Sequence, residues 1–319
     1  MKNLSRRGLF AGAAAVVVGG ALPAAASPLT LTPTRRFVLD GPGGEVFRGK
    51  PLADVTVMQS IAFDSANQRL FAGQLRAGSP STSGDLTLTQ LTLAGDVVGH
   101  MYLSGFGHAV SIGAETVGRT TYLWTETDVD TANARGRQIA RFRWQDGATL
   151  TKDSPGLRSW KPVADGAVFT PSVDQRHGRI GIRHTLADGF HINVYSLAAA
   201  RAGDFSRVLA SFKQPAMTAG IDFQGWALYG SYVYLWEGEA YAGTPDPTVA
   251  TSRLWTYDIV KGEVVESVKI VDGADLVYRE AEGVGVYVDH RGCPQLCFGF
   301  ASGVTGDRRA NLFYRNRLV

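Results

Sequence analysis

Five stretches of the chain share one weak pattern, and a chain built from units too small to bury their own faces must stack those units side by side. Each stretch opens on a polar or small residue, continues as a short apolar strand, turns on Gly, Asp or Asn, and returns as a strand rich in aromatic residues. The starts fall near Gln59, His108, Thr170, Gln224 and Glu282, roughly 50–60 residues apart, which is the length of one four-stranded propeller blade. Third and fourth strands follow the same grammar. Leu86–Leu91 alternates, turns at Gly95-Asp96 and returns as Val97–Tyr102; Arg253–Asp258 turns at Lys261-Gly262 and returns as Val264–Ile270. Only Ser196–Arg201 reads as a turn of helix. The expected fold is therefore all-β: a five-bladed β-propeller, one domain over residues 27–319, with a two-sheet β-sandwich as the competing arrangement. The last repeat reaches Val319 before an outer strand can form. Arg35–Leu39 is expected to supply that strand, so that the N- and C-terminal strands pair and close the ring.

Residues 1–26 stand apart from this pattern. Ser5-Arg6-Arg7-Gly8-Leu9-Phe10, an Ala/Val/Gly run and Ala24-Ala25-Ala26 read as a twin-arginine signal peptide with a small-residue cleavage site. Its apolar run of about fifteen residues is shorter than the ~20 that span a bilayer. The expected location is secreted or cell-wall associated. Lys2, Arg6 and Arg7 account for the whole formal charge of +3, and beyond them 29 basic residues balance 29 acidic ones. A neutral body gives no ground for nucleic acid as a partner, or for a membrane once the signal is cleaved. Cys293 and Cys297 would form a disulfide only if the chain bends at Pro294, because four extended residues hold the Cα atoms about 13 Å apart against a limit of ~7 Å.

The innermost strands of a propeller line a central channel, so residues that open each repeat converge there from distant parts of the sequence. That places Gln59, His108, Thr170 or Ser172, Gln224 and Glu282 around one axis. Such residues either hold a ligand or bind water and one another to plug the channel. His108, among glycines in Gly105-Phe106-Gly107-His108, is the sharpest candidate for proton transfer. Glu282 with Asp222 is the carboxylate pair that glycoside hydrolysis would need, and Glu115 is a weaker third. Trp236 and Tyr241, beside the Gly238–Pro247 loop, are expected to offer aromatic faces to a sugar. Glu126, Asp128 and Asp130 form an acidic stretch without the oxygen spacing of a Ca²⁺ loop, and neither a metal nor a cofactor is expected.

The stretches Gln59-Ser60-Ile61-Ala62-Phe63-Asp64, Gly107–Glu115, Phe223-Gln224-Gly225-Trp226 and Glu280-Ala281-Glu282-Gly283-Val284 resemble motifs of the teichoic acid biosynthesis protein C family. They are similar also to the five-bladed platform of phage baseplate receptor-binding proteins. The resemblance implies a propeller that meets cell-wall or extracellular polysaccharide. It leaves catalysis open, because phage platforms bind glycans whereas other five-bladed propellers hydrolyse them. The expected function is that of a secreted carbohydrate-active protein, a glycoside hydrolase or polysaccharide lyase acting in an axial pocket, with His108, Glu282 and Asp222 catalytic and Gln59, Gln224, Glu115, Ser172, Trp236 and Tyr241 binding substrate. The alternative is a lectin-like propeller without turnover. The partner is a polysaccharide or oligosaccharide, and the protein is expected to be a monomer; the stem regions that trimerise the phage proteins find no counterpart in the sequence, which argues against a tail component.

Overall fold

The computed structural model describes residues 31–241, 245–246 and 248–319; the segment expected to be a signal peptide and part of the Gly238–Pro247 loop lie outside the described residues. Strand β1 (Gly43–Lys50) precedes a meander of β2 (Met58–Asp64), β3 (Arg69–Leu75), β4 (Leu86–Leu91) and β5 (Val97–Ser104), which is the first blade. The second blade holds β6 (Gly113–Val117), β7 (Thr120–Asp130) and β8 (Arg135–Arg143). After it, β9 (Thr149–Thr151) returns to the edge of the first blade and β10 (Arg158–Trp160) completes the second. Strands β11 (Ala167–Asp174), β12 (Arg179–Leu186), β13 (Gly189–Ser196) and β14 (Ala210–Lys213) form the third blade. The fourth comprises β15 (Phe223–Tyr229), β16 (Tyr232–Glu237), β17 (Arg253–Asp258) and β18 (Glu263–Lys269). In the fifth, β19 (Glu280–Val288), β20 (Pro294–Val304) and β21 (Asp307–Arg315) are joined by β1 as the outer strand. This is the five-bladed propeller that the repeat pattern predicts, and the helical turn expected at Ser196–Arg201 is a short helix, α1 (Leu197–Ala202), capped by Ser196.

The ring closes through its terminal strands, but the outer strand is Gly43–Lys50 rather than Arg35–Leu39. β1 runs antiparallel to β21, from Gly43 opposite Arg315 to Lys50 opposite Ala310. The two strands approach so closely at their ends that a Cβ on Gly43 would lie 2.1 Å from the Tyr314 carbonyl oxygen, and only glycine fits. The Arg35–Leu39 segment makes a smaller latch. Phe37 bridges Leu318, is fully buried, and donates its N–H to Tyr234 Oη at 2.9 Å.

Each gap between neighbouring blades is filled by its own apolar cluster, because a sheet with two apolar faces needs a neighbour on each side. Phe71, Met101 and Phe142 join the first and second blades, and Trp124, Phe169 and Tyr195 the second and third. Trp226 packs between the third and fourth, Trp236 and Phe298 between the fourth and fifth, and Phe63 and Leu312 between the fifth and first. Cys297 is buried in β20 while Cys293 sits exposed in the preceding turn, so both thiols are free; the chain continues as strand through Pro294 instead of bending there.

Candidate functional site

The five inner strands, β2, β6, β11, β15 and β19, run side by side around the axis. Where they start, four of them break register with the next strand: between Met58 and Ser60, Ala167 and Thr170, Phe223 and Gly225, and Glu282 and Val284. A bulge re-aims the side chains beside it. Gln59, Val168, Gln224 and Glu282 thereby line a cavity of about 440 Å³ at this mouth of the channel. On the fifth side there is no strand. His108 precedes β6 in an irregular segment tied down by the buried Glu126, whose carboxylate accepts from the backbone N–H groups of His108, Ala109 and Gly136 at 2.9, 2.7 and 2.5 Å. Glu126 presses so close to Gly107 that a Cβ there would lie 2.3 Å from the carboxyl carbon.

The cavity brings together Gln59, His108, Thr170, Gln224 and Glu282, five of the residues expected at the axis, with Asp222 beside them. Glu282 is 2 % exposed, and its carboxylate accepts from Gln59 Nε2 at 3.3 Å. Burial, reinforced by the neighbouring Glu280 and Asp222, pushes its carboxyl well above the usual carboxylate range against the opposing pull of Arg135. Glu280 accepts a 2.6 Å hydrogen bond from the Tyr278 hydroxyl. Burial, with Arg135 nearby, lowers His108 from 6.5 to about 4. The cavity therefore sets a carboxyl shifted toward its protonated form beside an imidazole that is unprotonated at neutral pH, a donor and an acceptor for protons. Gln224 donates to the Gly238 carbonyl at 2.9 Å, which fixes its amide at the rim.

Four expected ligand contacts are structural instead. Glu115 is fully buried inside the second blade, where Trp124 Nε1 and Arg141 donate to it at 2.8 and 2.9 Å and Arg201 reaches it at 2.6 Å. The strand begins at Gly113, five residues later than expected, so Glu115 points along the blade and not at the axis. Trp236 is fully buried, with its ring 5.5 Å from those of Phe298 and Phe300. Tyr241 is also buried; its N–H donates to the Tyr278 carbonyl at 2.6 Å and its ring packs beside the Arg279 guanidinium. Ser172 lies below the cavity and accepts from the Leu228 N–H at 3.0 Å, joining the third and fourth blades. There the channel narrows to a void of about 20 Å³ between Ile61, Ser172 and Val284, too small for a sugar. Among the described residues no group of three or more His, Cys, Asp or Glu side chains is placed to hold a metal ion.

Two arginines at the cavity carry no signal in the repeat pattern. Arg135 begins β8 and Arg183 lies midway along β12, so neither opens a repeat, and both reach the mouth from outside the innermost ring. Ala109, Val168 and Tyr278, three non-glycine residues around this mouth, hold positive φ, a costly backbone conformation for a residue with a side chain.

Fold and cavity together define a five-bladed propeller with a polar, charged axial cavity at one mouth. Residues 57–314 match the phage 5-bladed beta propeller receptor binding platform domain, and the chain belongs to that family. It is 25% identical over 286 residues to the putative major teichoic acid biosynthesis protein C of Bacillus subtilis (strain 168), a match covering 84% of this chain and 61% of that protein. The chain thus spans about three fifths of that relative's length. The tail fiber of Staphylococcus aureus phage P68 overlays with a TM-score of 0.70 at 20% identity, over 89% of this chain and 52% of that one. A GH43 protein from Bacillus licheniformis overlays with a TM-score of 0.46 at 11% identity, over 82% of this chain and 55% of its own. Among the described residues no helix is long and apolar enough to cross a membrane.

Proposed function

We propose that this is a secreted carbohydrate-active protein, exported by the twin-arginine route and acting as a monomer, that takes a segment of extracellular or cell-wall polysaccharide into the axial cavity and cleaves it there. The observation that carries the reading is the pairing, in one cavity of about 440 Å³, of a buried Glu282, whose carboxyl is pushed well above the usual carboxylate range, with a His108 lowered to about 4. Glu282 gives its proton to the leaving glycosidic oxygen and His108 acts as the base. In hydrolysis the attacking water bonds the anomeric carbon and loses its proton to His108, with Asp222 as the second carboxylate beside it. Gln59 and Gln224 position sugar hydroxyls at the rim.

Family membership favours a second reading, recognition without turnover, because the matched domain is named for receptor binding. Incubation of the mature protein with wall and plant polysaccharides separates the two. Cleavage predicts new reducing ends or unsaturated-uronate absorbance that disappear in both Glu282→Gln and His108→Asn. Binding that survives with no product from any polymer leaves the second reading standing and ends the first.

A further inference from the structure

Among the described residues the buried arginines have partners for their guanidinium groups, with one exception. Arg279 donates to the Ser252 hydroxyl and to the carbonyls of Ile270 and Asp272, and Arg315 forks onto the Asp272 carboxylate. Arg141 pairs with Glu115. Arg183 is 4 % exposed, yet its Nε donates to Gln214 Oε1 at 2.6 Å and, among the described residues, its two Nη groups have neither a carboxylate nor a hydrogen-bond acceptor. Its guanidinium is held flat between two rings, 3.5 Å from the centroid of Phe190 and 3.9 Å from that of Phe223, at the wall of the cavity. A planar cation locked by aromatic rings and left with a free donor edge is a preformed fork for a two-oxygen anion. Arg135 lies at the same wall and also makes no ion pair among the described residues, while the nearby Glu126 already spends its oxygens on three backbone N–H groups. Two neighbouring cations repel each other, a cost that the nearby Glu126 offsets in part and that an arriving anion relieves further. Burial and Arg135 accordingly lower Arg183 to about 9.

We propose that Arg183 and Arg135 form a subsite for the carboxylate of a uronic-acid residue, so that the polysaccharide taken into the axial cavity is an acidic one. The inference rests on the reading that the cavity binds polysaccharide, and it names the substrate class. A planar carboxylate matches the two Nη donors of one guanidinium, and the ring-flanked slot favours a planar group.

The test is titration calorimetry of the mature protein with oligomers of polygalacturonate and alginate, with carboxyl-reduced polygalacturonate, and with poly(glycerol phosphate). The expected result is that uronate oligomers bind at least about tenfold more tightly than the carboxyl-reduced oligomer, a preference of the size that charge-assisted hydrogen bonds supply. Arg183→Leu keeps an apolar side chain between Phe190 and Phe223, and Arg135→Gln alters a more exposed position. Each is expected to remove most of the preference while leaving the weaker binding of the reduced oligomer unchanged, with thermal melts confirming that both variants are folded. Equal affinity for the acid and reduced oligomers overturns the subsite but leaves polysaccharide recognition intact. Tighter binding of poly(glycerol phosphate) than of any uronate overturns the carboxylate assignment, and failure of every polymer to bind overturns both the subsite and the reading beneath it.

Discussion

The two mouths of the axial channel are built from the same five strands and differ in almost every local respect. Where the inner strands begin, four are bulged and charged groups meet without saturating one another. Where they end, pairing is regular and the acids are filled. Asp64 accepts from the Asn67 amide and the hydroxyls of Thr116 and Thr121, and Asp174 accepts from the His177 N–H, the His177 ring and the Gly230 N–H. These aspartates close hairpin turns and tie each blade to the next. The cavity at this second mouth, about 360 Å³, is lined by Phe63, Val173, Leu228 and Val286 around those satisfied groups. One end of the barrel is organised for stability and the other keeps its polar groups available, as expected of a fold that concentrates its cost at the working site.

The sharpest way to break this comparison is to remove a saturated acid. Asp174→Ala leaves several buried donors unsatisfied and is expected to cost about 3–5 kcal/mol in urea unfolding, while the folded fraction still binds oligosaccharide like the wild type. A large loss of affinity with little loss of stability would reverse the roles assigned to the two mouths.

Glu282→Gln probes the opposite end. The amide cannot ionise and so avoids the cost of holding a carboxyl protonated above its ordinary range, and stability at neutral pH is expected to equal or exceed that of the wild type. Cleavage is expected to fall by about 100-fold or more, the usual range for loss of a general acid.

The same groups make opposite contributions to the pH dependence of stability. The folded state holds the Glu282 proton more tightly than the unfolded chain, so its contribution is fully present below about 4.5 and is lost as pH rises through the elevated folded value. Glu282→Gln should therefore lose less stability than the wild type between pH 5 and 8. His108 behaves conversely: its contribution is present above 6.5 and is lost as pH falls toward 4, so His108→Gln should flatten the acid limb. Melting temperatures of the three proteins across pH 4–8 check both signs.

The smallest effect concerns the thiols. Burial pushes Cys297 up to about 12, and Cys293 is exposed in a turn near the saturated mouth. A thiol reagent should label one cysteine in the native protein and two after unfolding, and the native label should leave oligosaccharide affinity unchanged.

The blades and the axial polar residues were legible because each is a local event: a polar residue before an apolar strand, repeated five times. What the pattern hid depends on neighbours far away in sequence. Arg183 becomes a free donor only because Phe190 and Phe223 arrive from two different blades, and Arg135 reaches the mouth only because β7 and β8 are long. Trp236 looked accessible because Gly238 follows it, whereas Phe298 and Phe300 of the next blade cover it. Arg35–Leu39 and Gly43–Lys50 both meet the C-terminal segment, and the tight approach at Gly43 that selects between them arises from tertiary packing.

Hydrogen–deuterium exchange with and without a saturating uronate oligosaccharide tests the central claim most directly. The account predicts added protection in the segments around residues 105–110, 135, 183, 222–224 and 278–282, and none around 173–176 or 286–290. Protection confined to the second mouth or to the outer strands would contradict it.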